Sequence, residues 1–137
     1  MTQKTTELRL PSRIEVVEEV ATAIAGIIKS SEFEEEAAFG IDLAVREAVT
    51  NAVLHGNNAD ESKFIEVILK SSQESIEISV HDQGAGFNPN EVPDPTDEEN
   101  ILKTDGRGIF FMRNFMDEVD WQINPEGGTT VRMLKKR

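Results

Sequence analysis

The chain has 137 residues, 14 of them basic and 26 acidic, giving a formal charge of −12; this predicts one domain with a real core and disfavours nucleic acid or anionic lipid as a direct partner. With no cysteine there is no disulfide framework or thiolate metal site, and no apolar run is long enough to cross a bilayer. Met1 to Glu7 lacks the apolar core of a signal peptide, so the cytoplasm is the expected compartment.

Glu7 to Leu10 alternates, which predicts a short edge strand that Pro11 ends. Ser12 and Glu15 then form a capping box, and Ile14, Val17, Ala21, Ile24 and Ile28 follow at the spacing of one helical face. A second box, Ser31 with Glu34, opens a helix expected to run to about His55, where Gly56, Asn57 and Asn58 supply stop signals. Ile65, Val67 and Leu69, then Ile76, Ile78 and Val80, alternate in two strands joined through Ser72 and Gln73.

From Asn88 to Asp105 no period holds, and Pro89, Pro93 and Pro95 stand among acidic residues; loops this long inside one domain often serve as lids. A short helix from Ile109 to Phe115 leads to strands near Val119 to Ile123 and Thr129 to Leu134, with Gly127 and Gly128 turning the hairpin. No repeat or linker interrupts the pattern, so residues 1–137 read as one domain with a lid at about 88–105. The predicted class is α+β: a two-layer sandwich, its mixed, mostly antiparallel sheet packed against helices on one face.

Three groups of residues could carry chemistry. Glu47 and Asn51 lie one turn apart on the second helix, about 40° apart around the axis. A carboxylate there can take a proton, and an amide oxygen can bind a hard cation such as Mg2+; the same spacing also suits a solvated polar face. Asp82 continues the apolar side of Ile76, Ile78 and Val80, where a carboxylate needs a specific donor, and an adenine amino group is one that suits. Gly84 and Gly86 follow at once and let backbone approach a ligand, although Asp82 could equally just begin a turn. Gly106 and Gly108 precede the short helix, where free amides favour an anion. His55 and His81 have no second ligand at metal-binding spacing. Met112, Phe115 and Met116 suit a core, and Trp121 suits a sheet.

In chain order these groups resemble the GHKL (histidine-kinase-like) ATPase superfamily. Glu47-x-x-x-Asn51 resembles its N-box, Asp82-x-Gly84-x-Gly86 its first glycine box, Gly106-x-Gly108 its second, and Gly128-Thr129-Thr130 its terminal strand motif. Within that superfamily, 44–56 and 114–119 are similar to bacterial anti-sigma-factor serine kinases. The resemblance implies Mg-ATP as cofactor, with Glu47 as general base toward a serine hydroxyl and Asn51 holding Mg2+. It implies that Asp82, helped by Thr130, reads adenine, while Gly84, Gly86, Gly106 and Gly108 shape the pocket. It further implies a sigma factor and an anti-sigma factor antagonist as partners, and a homodimer. A non-catalytic, nucleotide-gated binding module is the competing expectation; Glu47 favours the kinase, since a pure binder has no use for a base.

Overall fold

The computed structural model describes residues 4–30, 33–57, 60–83, 112–124 and 127–136. In chain order these form β1 (Lys4–Pro11), α1 (Val16–Ser30), α2 (Glu35–Asn51), a π-helical turn (Ala52–Gly56), β2 (Phe64–Ser71) and β3 (Ser75–His81). A helical turn at 112–115, β4 (Glu118–Ile123) and β5 (Thr129–Lys136) complete them. The sheet order is β1-β2-β3-β5-β4 and every pairing among the described residues is antiparallel, so the fold is the expected α+β sandwich with an antiparallel sheet.

The two-residue period decides which face meets the helices. Ile65, Val67, Leu69, Ile76, Ile78, Val80, Val131 and Met133 are buried in one core with residues of α1 and α2. The opposite face carries charge: Arg132 lies 3.2 Å from Glu77 and 2.9 Å from Asp120, and Arg9 lies 3.9 Å from Glu66. Such solvated pairs contribute about 0–1 kcal/mol each, so the apolar layer is what holds helices to sheet.

α1 buries Ala21, Ile24 and Ile28 as expected, together with Val16 and Val20. Its start differs from the sequence reading. Ile14 is 48% exposed, because it sits in the turn before the helix rather than on its apolar face. The Ser12–Glu15 capping box does not form either: the buried Ser12 hydroxyl has no hydrogen-bond partner among the described residues. The helix starts only at Val16, with Val16 and Val17 donating their N–H groups to the carbonyls of Arg13 and Ile14, and the Ser12 N–H donates to the Lys63 carbonyl instead of to Glu15.

α2 begins after Glu34, which makes no side-chain cap; Glu35 and Glu36 in its first turn favour the positive end of the helix dipole. Ser31 lies outside the described residues. Arg46 ties the two helices together by pairing with Glu18 of α1 and, at 2.9 Å, with Asp42 one turn back. Gly40 lets the 112–115 turn pack on α2, since a β-carbon there would stand 2.8 Å from the Phe115 ring. Met112 and Met116 are buried on that side, as their place in the sequence suggests.

Candidate functional site

Three elements converge at one end of the helix layer. α2 ends at Asn51, and the following turn widens to π geometry, a feature frequent at functional sites. β3 ends at His81 and releases Asp82 on its inner face, while β5 starts at Thr129 beside it. Asn51, Asp82 and Thr129 share a cleft whose apolar walls include Ala48, Ala52, Met112 and Trp121. Glu47 is half-buried one turn before Asn51 and is not among the described residues that line the cleft.

Asp82 is 4% exposed, and both its backbone and its side chain are bonded to Thr129. The Asp82 N–H donates to the Thr129 carbonyl at 3.0 Å, and the Thr129 N–H donates to Asp82 Oδ1 at 3.1 Å. The hairpin before Thr129 makes this approach possible. Gly127 and Gly128 have φ of 106° and 92°, and a β-carbon on Gly128 would lie 2.0 Å from the Asp82 carbonyl oxygen.

Thr130, the threonine expected to assist Asp82, is on the other face of the sheet. Its hydroxyl meets His81 Nδ1 and accepts from Asn124 Nδ2 at 3.2 Å, and it is paired in register with His81 rather than Asp82. Strand alternation leaves Thr129 as the threonine on the cleft side. Gly84, Gly86, Gly106 and Gly108, and the stretch at 88–105 expected to form a lid, lie outside the described residues. Two residues that the sequence reading gave no role in the site are close to it. Trp121 lines the cleft from β4, with the Arg113 guanidinium 5.1 Å from its ring centre. Asn57, read as a helix stop, is fully buried and bonded to Gln83, one residue after Asp82.

Residues 10–135 match the histidine kinase-like ATPase domain family. The chain belongs to that family. It is also similar to the anti-sigma F factors of Bacillus thuringiensis (strain Al Hakam), Bacillus mycoides (strain KBAB4) and Bacillus anthracis (strain CDC 684 / NRRL 3495). Each is 38% identical over 99 residues, an alignment that spans 69% of this chain and 66% of the relative.

For a histidine kinase-like ATPase domain the donor set of the cleft suits a nucleotide. A buried carboxylate complements an exocyclic amino group, and apolar walls suit a purine. Among the described residues no group of three or more metal-ligating side chains is found. Mg2+ does not need one, because it keeps several waters and is bound through one or two protein groups plus phosphate oxygens. Asn51 is a side chain of that kind at the same cleft. Among the described residues no helix is long and apolar enough to cross a membrane.

Proposed function

We propose that this domain is a cytoplasmic, ATP-dependent protein-serine kinase that is also an anti-sigma factor, holding a sigma factor and phosphorylating that factor's antagonist on serine. The observation that carries the nucleotide part is the buried Asp82 carboxylate, facing the cleft it shares with Asn51. The anti-sigma part is supported by relatives named anti-sigma F factor.

In this reading Asp82 accepts a hydrogen bond from the adenine amino group, with Thr129 beside it in the place first given to Thr130. Gly84, Gly86, Gly106 and Gly108 shape the pocket around the phosphates. Asn51 holds Mg2+, which supplies neutralisation of phosphate charge when bound. Glu47 takes the proton of the serine hydroxyl while the serine oxygen bonds to the γ-phosphorus. The bond from that phosphorus to the β–γ bridging oxygen breaks, and ADP leaves. A chain at −12 can still bind a polyanion in this way, through a metal and backbone amides rather than through net charge.

Affinity capture from the native host, followed by mass spectrometry, tests the whole reading. A sigma factor should be captured, together with an antagonist that gains phosphoserine only when Mg-ATP and this domain are both present. Capture of both proteins with no ATP-dependent phosphoserine would instead favour the non-catalytic, nucleotide-gated binding module.

A further inference from the structure

Asn57 closes a ring of hydrogen bonds between the end of α2 and the end of β3. Its Oδ1 accepts from the Gln83 N–H at 2.8 Å, and its Nδ2 donates to the Phe64 carbonyl at 3.1 Å. The Phe64 N–H in turn donates to Gln83 Oε1 at 2.7 Å. The Asn57 N–H donates to the Ala52 carbonyl at 2.9 Å, closing the π turn that follows Asn51, and its carbonyl accepts from Asp60 at 3.0 Å. The side chain is fully buried, so these two bonds are what satisfy its amide group.

The ring therefore fastens the residue directly after Asp82 to the turn directly after Asn51. These two cleft residues stand on separate elements, so their separation is not set by either element alone. Asp82 has its own anchor in the two bonds to Thr129. Loss of the ring thus shifts the α2 end relative to an aspartate that stays seated.

We propose that Asn57 is a positioning residue for Mg-ATP: it holds Asn51 and Asp82 at the separation at which one nucleotide engages both. This rests on the nucleotide reading given above. It predicts an asymmetry between ligands, because adenosine needs only the Asp82 end of the cleft whereas Mg-ATP needs both ends.

The test is calorimetric titration of the full chain with adenosine and with Mg-ATP. Asn57→Ala should weaken Mg-ATP by about 10-fold or more, the usual size of an effect exerted through a ligand's supporting hydrogen bonds, and leave adenosine close to wild type. In an Asn51→Ala background the same change should add little to the loss for Mg-ATP. Equal losses for both ligands, or full additivity with Asn51→Ala, would overturn the proposal and leave Asn57 a structural residue only. If Asn57→Ala does not fold, Asn57→Ser, which keeps a polar group in the buried position but is too short to bridge Gln83 and Phe64, must show the same asymmetry; equal losses there count against the proposal in the same way. A wild-type chain that binds neither ligand overturns the nucleotide reading itself, a result seen without any variant.

Discussion

Gly128 and Asp82 approach so closely that a β-carbon on the glycine would lie 2.0 Å from the aspartate carbonyl oxygen. The glycine also has φ of +92°, so alanine would clash and be strained at once. Gly128→Ala should lower stability by about 1–3 kcal/mol from backbone strain alone, and by more if β3 and β5 separate. Because the same strand ends carry Asp82 and Thr129, nucleotide affinity should fall in the fraction that remains folded. Urea unfolding measures the first effect; an unfolding midpoint equal to wild type would contradict this account of the hairpin.

The two adjacent threonines are expected to differ in function. Thr129→Val should weaken nucleotide binding, whereas Thr130→Val, on the far face with His81 and Asn124, should leave it near wild type. The chain's single tryptophan, Trp121, lines the cleft, so its fluorescence during titration reports on both variants. Weaker binding in Thr130→Val with none in Thr129→Val would reverse the assignment.

At the start of α1, Ser12 separates two ideas of how that helix begins. A capping serine replaced by alanine costs about 1 kcal/mol. Removing a buried hydroxyl that has no partner among the described residues should instead be neutral or stabilising, and that is the expectation for Ser12→Ala. Thermal unfolding decides between them; a clear loss of stability would restore the capping box.

These cases show where sequence was informative. Alternation placed Ile65, Val67, Leu69, Ile76, Ile78 and Val80 in the core, since a half-buried strand shows its period locally. The burial of Asp82 was legible because it extends that same alternation. The face on which Thr130 stands was not, because choosing between neighbouring threonines requires the strand register, and one step of register exchanges the faces. Asn57 was invisible for a different reason: its bonds to Phe64 and Gln83 are tertiary, while its local signal is only that of a helix stop. Trp121 could be assigned to a strand, but only packing shows that its side of the sheet opens on the cleft.

Binding and chemistry should separate at α2. Glu47→Gln is expected to keep Mg-ATP affinity, since glutamine keeps the shape of the side chain and removes only its basicity, yet to transfer phosphate about 100-fold more slowly or worse. Single-turnover transfer to the identified antagonist measures this. Wild-type transfer by Glu47→Gln would mean that another group takes the serine proton.

The central claim is that the Asp82 carboxylate holds the base of a nucleotide. Calorimetric titration of wild type and Asp82→Asn with Mg-ATP and with ADP tests it most directly, after both proteins are shown to be folded. The variant replaces one acceptor oxygen by an amide nitrogen that donates, toward a ligand amino group that also donates. Wild type should bind both nucleotides, and Asp82→Asn should lose most of the affinity for each. Undiminished affinity in folded Asp82→Asn would contradict the account.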